Sequence, residues 1–545
     1  MKKVLFANDY RQGIVRMLMI CAMCMSYSIA NAQNPFLPLW EYIPDGEPYV
    51  FEDPDCPGKY RVYVYGSHDM LKTEYCGLDQ VTWSAPVEDL SNWRFDGIIF
   101  KSVCDANGKL LRPDGKGDVL YAPDVVEVKD KNGKKTYYLY PNNQAGGRQT
   151  MIAKSDRPDG PFVVCNWNPD KPDETIGVLR FDPGVLVDDD GRVYGYWGFE
   201  ESWGAELDPK TMATVKPGTK AIKDMISNRN QPGDFRFFEA SSIRKIEDKY
   251  VFIYSRWTKK GEFGLPDTNY TLGYAYSDSP LGPFTFGGTI IDGRARGLDE
   301  SGNVIPTANP TGNTHGSIVE INGKWWVVYH RQTGKNEFSR QAMVAPIEVK
   351  VEKGRGGKVF ISEGEYTSEG FCTEGLNPFN KTAAGIACYY TGPEPAYNNY
   401  PNYIYSGSYI MPTYLDLGSY ASPSNLKQPF CPVVNNTNGS TVGYKYFNFD
   451  LIGSNRNLGI LFHLKQMGVA GKMKIMVESP YASKGGKVIG TLNIPDMATD
   501  ALVELKAEVS IPQSIKGKQA LYFLFESETK SKSICELYDF QFVKQ

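Results

Sequence analysis

The chain lacks any broad excess of charge. Its 59 basic and 63 acidic residues leave a net charge of −4 over 545 positions. That argues against an extended basic surface for nucleic acid or anionic lipid. Beyond residue 32, no stretch is long and apolar enough to span a bilayer. No Cys-x-x-Cys and no Cys/His cluster of zinc spacing occurs there, so a zinc site is not expected. No phosphate-binding glycine loop stands between a strand and a helix, so no organic cofactor is implied. No long segment carries a 3.6-residue apolar period.

What is present is aromatic and β-like. Aromatics make up 13% of the chain, with 35 Tyr and 9 Trp. Such residues favour strands, and their faces also stack on the apolar faces of sugars. At this length two or more domains are expected. Residues 1–32 read as an export signal: Lys2, Lys3, Arg11 and Arg16 precede the apolar run Met17–Met25 and the small-residue site Ala30-Asn31-Ala32. The expected location is therefore periplasmic or extracellular, and a lipid anchor is disfavoured because neither Cys21 nor Cys24 follows a small residue in a good lipobox. Eight cysteines follow residue 32, and the sequence does not say which of them pair.

A hairpin signature recurs five times: PGKYRVYVYGS, NGKKTYYLYPN, DGRVYGYWG, EDKYVFIYSR and NGKWWVVYHR. Each copy joins a first strand to an aromatic strand through a tight turn. A third strand carries small residues, as in MIAKSDRPDGPF (151–162) and LGYAYSDSPLGPF (272–284). The period of about 57 to 75 residues suits a four-stranded unit. Five such units predict a five-bladed β-propeller, in which the first strand of each blade lines the axis. After about residue 350 the pattern stops, KVEKGRGGKVF (350–360) predicts a last hairpin, and short alternating strands then predict a β-sandwich. The expected organisation is thus all-β: a signal over 1–32, a propeller over 33–370 and a sandwich over 371–545.

One polar residue precedes each hairpin: Asp45, Asp124, Asp182, Glu239 and His315. Asp124, Asp182 and Glu239 each lie nine residues before the turn position, His315 eight and Asp45 thirteen. A lone Asp before a strand is ordinarily a turn or cap residue. Shared offsets in a propeller instead predict that these side chains meet at one mouth of the axial channel. Carboxylates gathered in one pocket can divide acid and base roles if their surroundings drive their pKa values apart. Glycoside hydrolysis needs that division, with one acid protonating the leaving oxygen and one carboxylate activating water or attacking carbon.

The stretches YIPDGEPYVF, YVYGSHD, YAPDVVEV, FDPGVLVDDDGRVYGYWG, FFEASSIRKI and NTHGSIVEINGKWWVVYHR, spread over 34–350, resemble glycoside hydrolase family 43. The resemblance implies a five-bladed propeller and an inverting, single-displacement mechanism. It implies Asp45 as general base, Glu239 as general acid and Asp124 as the residue that modulates and orients the acid. It marks His315 and Arg340 as sugar contacts, with His315 also a candidate ligand for a structural calcium. No metal is required for the chemistry. The first motif reads PDGEP, and Glu47 would share a strand face with Asp45. Asp182 carries no implied role beyond a structural one. Residues after 371 resemble a family 6 carbohydrate-binding module, with Tyr and Asn at 389–405 as candidate contacts.

The expected activity is release of a terminal β-D-xylose or α-L-arabinofuranose from plant cell-wall polysaccharide or oligosaccharide. Action on arabinan or galactan, a non-catalytic glycan-binding propeller and a retaining enzyme of the invertase type remain as alternatives.

Overall fold

Each aromatic hairpin forms the first two strands of a separate sheet. The computed structural model describes residues 33–70, 73–265, 267–309, 312–399, 402–413 and 431–545. The signal segment 1–32 lies outside the described residues. Blade 1 runs through Glu47–Glu52, Tyr60–Tyr65, Asp79–Pro86 and Arg94–Lys101. Blade 2 runs through Asp124–Lys129, Lys135–Tyr140, Ala153–Ser155 and Val163–Val164. Blade 3 comprises Gly184–Val187, Val193–Trp197, Trp203–Leu207 and Ile222–Lys223. Blade 4 comprises Phe237–Ile246, Lys249–Trp257, Tyr270–Ser277 and Thr285–Ile291.

Blade 5 departs from the four-stranded expectation. Its sheet has only Ser317–Ile321, Lys324–Gln332 and Arg340–Ile347. Asn34 covers the exposed edge of the third strand. Its side-chain nitrogen donates to the Val344 carbonyl at 2.6 Å, and its oxygen accepts from the Val344 amide at 2.9 Å. One side chain thus satisfies both backbone groups that a fourth strand would have paired. The hairpin expected at 350–360 forms as Val349–Val351 paired with Val359–Ile361.

The turns explain why the hairpins are legible. Asn322 and Gly323 both adopt positive φ, 50° and 76°, as a two-residue primed turn requires. Apolar clusters then lie between successive blades. One joins Val62 and Val64 of blade 1 to Val328 and Val344 of blade 5. The next joins Tyr63 of blade 1 to Leu139 of blade 2. Two more link blades 2 and 3, and blades 3 and 4. At the axis blades 5 and 1 meet through a parallel bridge between Gly316 and Gly46. A Cβ on Gly316 would stand 2.0 Å from the Val328 carbonyl oxygen, so only glycine fits there. That close approach brings Asp45 beside His315.

The cluster between blades 4 and 5 does not stop at the propeller. It continues from Ile253 and Met343 through Tyr366, Ile386 and Tyr390 into the C-terminal sheet. Arg331, fully buried at the end of the second strand of blade 5, donates to the carbonyls of Ala387 and Gly385 and to the Gln341 side chain. Eleven of the C-terminal strands form one continuous sheet folded over on itself. Phe523 of Lys518–Glu526 packs against Phe462 and Phe540 of the opposite half, at 5.3 and 5.0 Å between ring centroids. Burying each such ring contributes about 1.5–3 kcal/mol. Among the described residues there is no α-helix, and no helix is long and apolar enough to cross a membrane. All eight described cysteines are unpaired.

Candidate active site

The residues that precede the first strands surround a cavity of about 600 Å³ at the axis. Asp45, Asp182, Glu239 and His315 all line it, and Ala122 fills the blade 2 position. Loops between second and third strands raise its walls, contributing Tyr75, Phe199 and Glu337, and the adjoining strand ends add Trp257 and Arg340. One wall is a run of rings: Phe181, Phe199, Phe238, Trp257 and Tyr270, with successive centroids 3.8–5.6 Å apart. Phe199 remains half exposed there and leaves a ring face open to the cavity.

Asp45 is held as a carboxylate. It sits two residues before Glu47–Glu52 with φ of 59°, a left-handed conformation that Asp tolerates better than most residues. One oxygen accepts from Arg340 Nη1 at 3.0 Å and the other from the Ser67 hydroxyl at 2.5 Å. Burial alone would push its pKa up. The Arg340 charge above all, with the neighbouring His315 and His330 rings and the Ser67 hydrogen bond, outweighs that and brings it below the ordinary value. His330, fully buried, accepts from the Asp45 amide through Nδ1, so its proton is on Nε2 facing Asn313. Burial drops its pKa to about 3, against the charge of Asp45.

Glu239 faces the opposite demand. Its pKa stands well above the ordinary value, first because it is desolvated and then because Asp182 and Asp45 repel a second and third negative charge. Asp182 itself rises to about 6, through burial and the Asp45 charge, against the pull of His315. Its oxygens accept from Asn142 Nδ2 at 2.8 Å and from the Ala240 amide at 3.1 Å. His315 Nδ1 bridges the two aspartates, 3.9 Å from Asp45 and 3.7 Å from Asp182.

Asp124, expected from its offset to meet the others at the channel mouth, does not line the cavity. Equal distance to the turn does not mean equal depth, because the hairpins differ in length. Asp124 already pairs with Tyr140 as the first of six rungs, whereas Asp182 lies two residues before the four-rung strand Gly184–Val187. Asp124 therefore aligns with Gly184 and Glu47, one pleat repeat deeper, roughly 6.7 Å along the strand. Its oxygens accept from the Tyr49 hydroxyl at 2.7 Å and the Val185 amide at 2.6 Å. Burial and the Glu47 charge raise it to about 7. Glu47 lies in the same lower layer, bound to Arg244 at 2.7 Å. The acids that reach the pocket from the starts of the first strands are thus Asp45, Asp182 and Glu239.

Residues 82–353 match the family model Glycosyl hydrolases family 43. A xylosidase/arabinosidase of Thermoclostridium stercorarium is 32% identical over 525 residues, which cover 92% of this chain and 98% of that protein. The chain belongs to glycosyl hydrolases family 43. An arabinoxylan arabinofuranohydrolase of Paenibacillus polymyxa is 30% identical over 53% of this chain and 44% of its own length. A solved family 43 arabinoxylan arabinofuranohydrolase from Bacillus subtilis, in complex with cellotetraose, is 22% identical over 95% of this chain and 98% of that one, with a TM-score of 0.43.

Two further residues that the sequence did not single out brace or line this family 43 pocket. Asp69, in the YVYGSHD stretch, grips Arg340 through three hydrogen bonds of 2.8–2.9 Å, two from the guanidinium and one from the backbone amide. That fork fixes the guanidinium plane against Asp45. Position in a quoted motif was the only available signal. Glu337, in a blade 5 loop, accepts from the Tyr75 hydroxyl, and nothing in its local sequence marks it. The residues around His315 do not fit a calcium ion. Both oxygens of Asp45 and of Asp182 are already engaged by protein donors, and no metal-holding group of carboxylates, His or Cys occurs among the described residues.

Proposed function

We propose that this glycoside hydrolase is an inverting, exo-acting enzyme that removes a terminal β-D-xylose or α-L-arabinofuranose from plant polysaccharide fragments. One observation carries the reading: Asp45 and Glu239 line one cavity, and their surroundings drive their pKa values in opposite directions. Glu239 stays protonated and gives its proton to the glycosidic oxygen as the bond from that oxygen to the anomeric carbon breaks. Asp45 takes a proton from the water that attacks the anomeric carbon from the other face. Asp182 supplies the negative charge that keeps Glu239 protonated. Arg340 and His315 hold sugar hydroxyls, and the aromatic wall takes a ring face. No organic cofactor enters the scheme. Pentose specificity is supported by the xylosidase and arabinosidase names of the relatives.

We read residues 1–32 as a signal that exports the protein, and the C-terminal sandwich as a carbohydrate-binding module. The proposed substrate is cell-wall polysaccharide or oligosaccharide. The test is a product screen on arabinoxylan, arabinan and xylo-oligosaccharides with the wild type and with Glu239→Gln. Release of xylose or arabinose by the wild type, lost in the variant, is expected. Sugar release at equal rates from both proteins would overturn the assignment.

A further inference from the structure

The catalytic cavity is not lined by the propeller alone. Asn398, which belongs to the C-terminal region, also lines it. It lies on the hairpin Tyr397–Asn399 and Asn402–Ile404, where Asn398 is paired directly with Tyr403. Directly opposed residues on an antiparallel pair project to the same face. That face looks at the propeller. The Tyr403 amide donates to the Lys335 carbonyl at 2.8 Å, and Asn336 bridges Asn402. Gly334 donates in turn to the Ile410 carbonyl at 2.7 Å. The hairpin is therefore sewn onto the blade 5 loop that carries Glu337.

Tyr403 gives the second observation. It is 2% exposed, and its hydroxyl has no hydrogen bond of good geometry among the described residues. It nevertheless faces the Glu337 carboxyl, which also holds the Tyr75 hydroxyl. Glu337 and Tyr75 line the cavity. A buried hydroxyl that meets a carboxylate without good hydrogen-bond geometry is an arrangement that a ligand hydroxyl can complete.

Position decides which part of a substrate is contacted. Asp45, Asp182 and His315 sit at the strand starts and form the floor, where the terminal sugar must lie for its glycosidic bond to reach them. The hairpin is added outside the propeller, onto a loop that forms the wall. Groups on that wall meet what remains attached beyond the scissile bond. An Asn amide offers both a donor and an acceptor to sugar hydroxyls.

We propose that this hairpin of the C-terminal domain is part of the substrate pocket, with Asn398 and the Glu337–Tyr403 pair binding the sugar on the leaving-group side. The second domain then contributes directly to specificity, besides any glycan anchoring of its own. This rests on the pocket being the hydrolytic site.

The test uses the full-length protein. Asn398 is exposed, and Tyr403→Phe keeps the buried ring, so neither Asn398→Ala nor Tyr403→Phe should impair folding. In each variant the KM for an arabinoxylo- or xylo-oligosaccharide should rise about fivefold, the effect of one lost neutral hydrogen bond. The change in kcat should be smaller, and inhibition by the free monosaccharide product should stay within about twofold, because that sugar occupies only the floor. Calorimetric titration of the same oligosaccharide into Glu239→Gln, with and without Asn398→Ala, reads the same loss without turnover. Oligosaccharide affinity unchanged by both substitutions, an equal loss for the monosaccharide, or no measurable oligosaccharide binding to Glu239→Gln overturns the inference. If the wild type binds but releases no sugar, the proposed function fails while the titration still decides the hairpin's role.

Discussion

Arg340 Nη1 stands 3.0 Å from Asp45 Oδ1, and the same guanidinium is clamped from its other side by Asp69 at 2.8–2.9 Å. In the proposed mechanism Arg340 therefore has two functions, as a sugar contact and as the charge that keeps a buried base ionised. Replacing it with glutamine removes the main charge opposing burial, so the Asp45 pKa rises. The base must be ionised to act. The acidic limb of the kcat/KM profile should therefore move to higher pH, and the optimum should fall by roughly 10²-fold or more. A pH–rate profile of Arg340→Gln checks this. An unmoved limb with only a raised KM would leave Arg340 as a substrate contact and nothing more.

In the proposed mechanism Glu239→Gln removes the proton donor while keeping its size. Turnover of natural oligosaccharides should drop by about 10²–10⁴-fold. Aryl glycosides whose leaving groups need no proton should lose much less. Asp45→Asn should be equally poor on both, because an activated leaving group does not replace a general base. Comparing both variants on substrates of graded leaving-group pKa separates the two roles. Parallel losses across that series would contradict the assignment.

Two buried histidines predict how stability varies with pH. His330 is held neutral, its pKa lowered from 6.5 to about 3 by burial. The unfolded chain binds that proton and the folded one does not, so stability falls as pH drops from about 6.5 toward 3. His68 runs the other way. Burial lowers its pKa, but hydrogen bonds to Asp79 and Glu41 raise it to about 10. Its contribution is complete below 6.5 and is lost as pH climbs toward 10. The melting temperature of the wild type should therefore be highest near neutrality. His68→Gln should flatten the alkaline decline and cost about 3–5 kcal/mol at pH 7, because it strands buried carboxylates. An unchanged alkaline slope in His68→Gln would refute this reading.

The fold was legible where turn chemistry and aromatic strands recur, because a tight turn and an alternating strand are local properties. Asn322-Gly323 and Gly58 announced their hairpins without reference to anything distant. Depth along the axis is not local. Asp124 and Asp182 stand at the same offset from their turns, yet one is inside a longer ladder and the other precedes a shorter one. Counting residues to the turn could not see that difference. The third strand of blade 5 has its edge covered by Asn34, 310 positions away. Asn398 reaches the cavity from a second domain. Neither could be inferred from spacing, since both depend on how separate sheets pack.

The most direct test of this account sets Asp182→Asn beside Asp124→Asn in pH–rate profiles of kcat/KM. Asp182 repels a charge on Glu239, so neutralising it lowers the Glu239 pKa, and the acid is lost at lower pH. The alkaline limb of Asp182→Asn should move to lower pH, with activity at neutral pH reduced by about 10²-fold. Asp124→Asn should leave that limb in place. A limb that moves in Asp124→Asn and stays fixed in Asp182→Asn would contradict the arrangement of the pocket.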